Sequence, residues 1–148
     1  MELPGALKAA VELEVFTAIA EGKTTSALIA ERCAASERGI RILCDYLTIL
    51  GFLTKTDGVY GLTQDSAIFL NRHSPAYVGG AIEFMLAPML TAGFNDLAEN
   101  VRRGGTTLPD EGAIAPENPV WVRFARGMMP MMEMPSKVLP TLLDPATV

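Results

Sequence analysis

The sequence holds 148 residues, 49% of them hydrophobic and 20% charged, a balance that excludes a disordered chain and suits one domain with a real core. Mean hydropathy is +0.27, an apolar surplus to be hidden in a partner or a pocket, since the most apolar stretch (residues 81–94) is broken by Glu83 and Pro88 and falls short of the roughly 20 residues a membrane span needs. A net charge of −5 weighs against a duplex-binding module, whose affinity rests on a basic face.

Residues 4–20 have the spacing of a first helix, ended by Gly22. Leu7, Val11, Val15 and Ile19 repeat every four residues along one stripe, and Ala9, Leu13, Phe16 and Ala20 form a second. One core needs one stripe. The second calls either for the surface of another copy or for burial on both sides within the domain. Leu7 and Val11 from the first stripe, with Leu13 and Phe16 from the second, are the candidates for a dimer interface. Thr24 and Thr25 can cap a short helix over residues 26–33, with Leu28 and Ile29 facing in. Ala34 and Ala35 make a turn, and Ser36 caps a longer helix to Leu50 that buries Ile40, Leu43, Leu47 and Leu50. Gly51 can take the left-handed stop.

The period then changes from helical to alternating. Residues 52–56 and 59–63 are strand-like runs around Asp57-Gly58, a strong hairpin-turn signal. Helix, short helix, turn, longer helix and hairpin is the order of a winged helix-turn-helix. Thr63 caps a short helix over residues 64–70, and residues 71–75 form a loop. Residues 76–103 are helical in pattern but interrupted at Gly79-Gly80 and Pro88, either as two pieces or as one kinked helix, and Gly104-Gly105 stops them. Residues 106–119 form a loop. A last helical region spans 119–143, with Pro130, Pro135 and Pro140 limiting its regularity. The expected fold is mainly α: a winged helix-turn-helix core over residues 1–75, with a small β-hairpin wing, and further helices over 76–148.

The ordered set ALKAAVELEVFTAIAEG, TTSALIAERC, SERGIRILCDYLTILGFL, TDGVYGLT and QDSAIFL resembles the N-terminal domain of the plant- and bacterial-type small-molecule O-methyltransferases. The run NPVWVRFARGMMPMM is similar to the helix that leads towards the catalytic domain in that family. The resemblance covers nearly the whole chain. It implies an intertwined homodimer and a domain that closes over a small hydroxyl acceptor, aromatic or polyketide-like. It also implies a separate Rossmann-like domain that binds S-adenosylmethionine on a glycine-rich loop and supplies the general base. That loop would follow a buried strand after Val148. The glycine pairs Gly79-Gly80 and Gly104-Gly105 lack such a strand, so residues 1–148 are expected to hold no cofactor and, alone, not to transfer a methyl group.

Several residues invite functional roles. Trp121, Phe124, Met128, Met131 and Met132 follow helical spacing. Thioethers and rings can line a pocket for flat substrates or simply pack as core; the resemblance inclines towards a pocket wall, with Phe84, Met85 and Met89 opposite. Asn95 and Asp96 are expected on a solvated face. His73, the only histidine, follows Arg72 in a loop with no evident carboxylate partner, so a structural place at the surface is expected rather than a general base. Cys33 and Cys44 read as buried thiols, not as a disulfide or a metal site. No signal pattern opens the chain, and a cytoplasmic location is expected. The alternative function is a DNA-binding transcription regulator, with Arg38 and Arg41 on the reading helix. Against it, residues 23–63 carry five basic and four acidic side chains, and Asp57 sits at the wing tip.

Overall fold

A computed structural model describes residues 3–91, 97–105 and 120–142. The chain divides into two compact units, Met1–Gly79 and Gly80–Val148.

The first unit opens with α1 (Leu3–Glu12) and α2 (Val15–Ala20). The single helix expected over residues 4–20 is thus two. Glu14 stands between them in the left-handed region (φ 57°, ψ 33°), a conformation that disfavours any side chain with a Cβ by about 1–2 kcal/mol. Its carboxylate explains why the break persists: it accepts from Arg32 Nη2 at 3.1 Å and pairs with the Arg72 guanidinium. After the break five consecutive residues, Val15 to Ile19, are buried. Packed by α1, α3, β2 and α5, α2 is enclosed within its own unit. Of the two readings of the second stripe, burial on both sides therefore holds for Phe16.

α3 (Ser26–Arg32) and α4 (Glu37–Ile49) form the helix-turn-helix pair. Each starts where an N-cap was legible: Thr25 accepts from the Leu28 amide and Ser36 from the Gly39 amide. Leu28, expected to face in, is exposed, and Ile29 and Ala30 fill the core instead. On α4, Ile40, Leu43, Cys44 and Leu47 are buried, and Gly51 takes φ 80° after its end.

The wing is the antiparallel pair β1 (Leu53–Thr56) and β2 (Val59–Leu62), in the register Leu53 to Leu62 and Thr56 to Val59. Asp57 (φ 50°) and Gly58 (φ 80°) both have positive φ, as a two-residue turn matched to strand twist requires. The hairpin is anchored on two sides. The Tyr60 amide donates to the Thr24 carbonyl at 2.7 Å, and the buried Tyr60 hydroxyl donates to Asp45 Oδ1 of α4 at 2.7 Å. Thr63 caps α5 (Gln64–Phe69), and the buried Ser66 hydroxyl donates to the Phe52 carbonyl at 2.6 Å. The following loop is tied back to α2, with the Arg72 amide donating to the buried Thr17 hydroxyl at 3.0 Å.

In the second unit the described helices are α6 (Gly79–Met85), α7 (Pro88–Thr91), α8 (Leu97–Arg103) and α9 (Val120–Leu142). The glycine pair 79–80 begins α6 rather than interrupting a helix. α9 runs through Pro130, Pro135 and Pro140 for 23 residues, within the region 119–143 expected to be helical and more regular than three prolines suggest, since each removes one intrahelical bond. The expected loop at 106–119 and the residues Asn95 and Asp96 lie outside the described residues.

Candidate functional site

Two apolar surfaces and one charged cluster stand out. In the second unit, α6 and α9 bring together three of the expected wall residues. The Phe84 and Phe124 rings meet edge to face at 5.4 Å, and Trp121 stacks edge-on to Phe124 at 6.0 Å, arrangements favoured by ring quadrupoles. Trp121 and Phe124 are 45% and 40% exposed, so these rings are not core in the described unit. Met131 and Met132 are exposed along the same helix and Met128 is half-buried. Met85 is exposed on α6, and of Met89 only the backbone, in α7, is described. A shallow depression of about 440 Å³ continues along α9 between Met132 and Leu142.

The two helices touch through bare backbone. A Cβ built on Gly127 would lie 2.7 Å from the Gly80 carbonyl oxygen. Sequence reasoning passed over Gly127, although a glycine within a helical pattern signals a close approach.

The second surface is a groove of about 290 Å³ between α1 and α4. The small residues Gly5, Ala6, Ala9 and Gly39 line it together with Leu13, Ile40 and Leu43. Of the four dimer-interface candidates, Leu13 lies on this groove and is exposed, and Leu7 is half-buried. Val11 and Phe16 are sealed in the protomer's own core. Neither presents surface in the protomer.

The charged cluster joins the end of α2 to α3 and to the loop after α5. Arg32 binds Glu21 Oε2 at 2.7 Å as well as Glu14, and His73 Nε2 stands 3.4 Å from Glu21 Oε1. His73 thus has a carboxylate partner that its sequence neighbours did not reveal. The Arg32 guanidinium, with help from His73, holds the Glu21 carboxyl down at about 2, and Arg72 and Arg32 keep Glu14 below its ordinary value. Beside the wing, Lys55 and Tyr60 hold Asp45 low. Burial pushes the Cys44 thiol up to about 12 and raises Cys33 as well, which leaves both poor nucleophiles. The His73 side chain is mostly solvated and lies among ion pairs.

Arg38 and Arg41 are exposed on α4, but Ile42 and Ile49 are exposed on that helix too, and aliphatic side chains cannot read hydrogen-bonding base edges.

A model of the O-methyltransferase dimerisation domain matches residues 2–72. Residues 2–72 are an O-methyltransferase dimerisation domain. The chain is 34% identical, over 103 residues, to the 3-hydroxy-5-methyl-1-naphthoate 3-O-methyltransferase of Streptomyces sahachiroi, covering 70% of this chain and 30% of that protein. A solved O-methyltransferase candidate from Nostoc punctiforme shares 56% identity with a TM-score of 0.82, over 93% of this chain and 42% of that one. The O-methyltransferase NcsB1 of neocarzinostatin biosynthesis, solved with S-adenosylmethionine and 2-hydroxy-5-methyl naphthoic acid, shares 26% identity with a TM-score of 0.64, over 88% and 42% of the two chains. The chain thus spans about a third of the length of the curated relatives it matches. These relatives are methyltransferases, and the DNA-binding alternative finds no support among them.

S-adenosylmethionine does not fit the described residues around this dimerisation domain. Gly79-Gly80 opens a seven-residue helix with no strand before it. Gly80 lies against the backbone of Gly127, and Gly104 takes φ 70° at the end of α8. Among the described residues no glycine loop presents free amides to a ligand, so no step of methyl transfer is assigned to them. Among the described residues no helix is long and apolar enough to cross a membrane.

Proposed function

We propose that this chain pairs two subunits and covers the acceptor in an S-adenosylmethionine-dependent O-methyltransferase whose acceptor is a small hydroxylated aromatic of the polyketide type. Residues 1–75 form the pairing core and residues 76–148 the cover. The observation that carries the second role is the half-exposed cluster of Phe84, Trp121 and Phe124 on a helix that continues into exposed methionines. Rings held edge to face present π surface and apolar edges to a flat guest, and thioethers adapt to its outline. Two of the relatives are named or solved with hydroxynaphthoates, which supports a two-ring acceptor here. Methyl transfer itself would require S-adenosylmethionine and a base from another domain. This chain's share is to exclude water from the acceptor and fix its plane.

For the first role, the groove between α1 and α4 receives a second copy of the chain. It lies within the matched dimerisation domain, and the small residues Gly5, Ala6, Ala9 and Gly39 along it let another helix come close.

Trp121 is the only tryptophan, so its emission reports on the wall directly. Titration with a hydroxynaphthoate, corrected for absorption, should quench it saturably, and Phe124→Ala should weaken the affinity about threefold to tenfold, as expected for losing one aromatic contact. Quenching that rises linearly with concentration and is indifferent to Phe124→Ala would refute the acceptor wall.

A further inference from the structure

Most α9 positions whose burial is described are exposed, yet Gly127 is buried. A glycine within a helix disfavours it by about 1 kcal/mol relative to alanine, so helix propensity does not explain its presence. The contact does. A Cβ on Gly127 would meet three backbone atoms of α6, Gly80 O at 2.7 Å, Gly80 C at 3.0 Å and Ala81 N at 3.2 Å, none of which can swing aside. The reverse substitution is mild, because a Cβ on Gly80 would lie 3.4 Å from Gly127 Cα, an ordinary contact. One turn away on each helix, at four residues after Gly80 and three before Gly127, stand Phe84 and Phe124, whose rings meet at 5.4 Å. The spacing puts each ring on the same face as its glycine.

We propose that Gly127 is a positioning residue: by letting α9 rest on the backbone of α6 at Gly80, it holds Phe124 against Phe84 and so sets the width of the aromatic wall that selects two-ring acceptors. The inference rests on the acceptor-wall reading for its functional half, whereas its structural half stands without it. Any side chain at position 127 pushes the helices apart, separates the two rings and leaves a slot too wide to grip a flat guest.

The test uses the full chain as wild type, Gly80→Ala, Gly127→Ala, Phe84→Ala and the Phe84→Ala/Gly127→Ala pair. Nuclear Overhauser contacts between the Phe84 and Phe124 ring protons should survive in Gly80→Ala and vanish in Gly127→Ala, while helix content by circular dichroism is kept because alanine favours helix. Hydroxynaphthoate affinity, read from Trp121, should fall about threefold to tenfold in Gly127→Ala and equally in Phe84→Ala, with no further loss in the pair, since both remove one interaction. Ring contacts retained in Gly127→Ala overturn the proposal, as does a Phe84→Ala variant that binds like wild type. If the wild type binds no hydroxynaphthoate, the acceptor wall fails; the ring contacts then still decide the crossing, lost only in Gly127→Ala if it is right.

Discussion

Glu14, Glu21, Arg32, Arg72 and His73 come from four separate stretches of sequence and meet in one cluster of ion pairs. Each pair is largely solvated, so no single one dominates stability; together they fix where α2 begins and ends. Their pH signature follows from Glu21. Its carboxyl titrates at about 2 when folded, against an ordinary value of 4.5. The stabilisation from its partners is therefore complete above pH 4.5 and is lost as the pH falls towards 2. Glu21→Gln should flatten the decline of the urea midpoint across that window while changing little at neutral pH. An unaltered acid limb in the variant would show that Glu21 carries no linked stability. The cluster was invisible in the sequence because its partners are 11 to 58 residues apart. His73, read without a carboxylate neighbour, has one 52 residues away.

Local rules place most of the elements. Thr25, Ser36 and Thr63 cap the helices they were expected to cap, because a hydroxyl that accepts from an amide three residues on acts within a single turn. Asp57-Gly58 turns the wing for the same kind of reason. Gly58 holds φ 80° with open space where a Cβ would stand, so Gly58→Ala would add backbone strain without a clash. It should lower stability by about 1–2 kcal/mol, seen as a lower melting temperature with an unchanged helical spectrum; a neutral substitution would mean that the turn relaxes. What local rules missed were features set by distant groups. The break at Glu14 needs Arg32 and Arg72 to hold it, and the apolar spacing of residues 4–20 is the same with or without it. Likewise Met85 and Phe84 are both large and apolar, yet only Phe84 meets Phe124, a choice made by the crossing at Gly80 and Gly127.

At the scale of the molecule, apolar surfaces that one protomer leaves open connect composition to function. The positive mean hydropathy is accounted for by a sealed core around α2 and by exposed apolar side chains along α9 and beside the α1–α4 groove. Leu13 marked that groove in the sequence; its small-residue lining did not stand out, because α4 supplies part of it from 30 residues on. If two copies share the groove, association is driven by apolar burial of about 25 cal/mol per Å², and a charge placed there should dissociate them without unfolding either. Leu13 is 36% exposed in the protomer and lines that groove, so Leu13→Glu puts a charge on the face a second copy would cover. Light scattering on a size-exclusion column measures this directly for a 15.9 kDa chain. The account predicts a mass near twice that value for the wild type and near the single value for Leu13→Glu. A wild type that elutes at the single mass at every concentration, or a Leu13→Glu variant that stays paired, would contradict it.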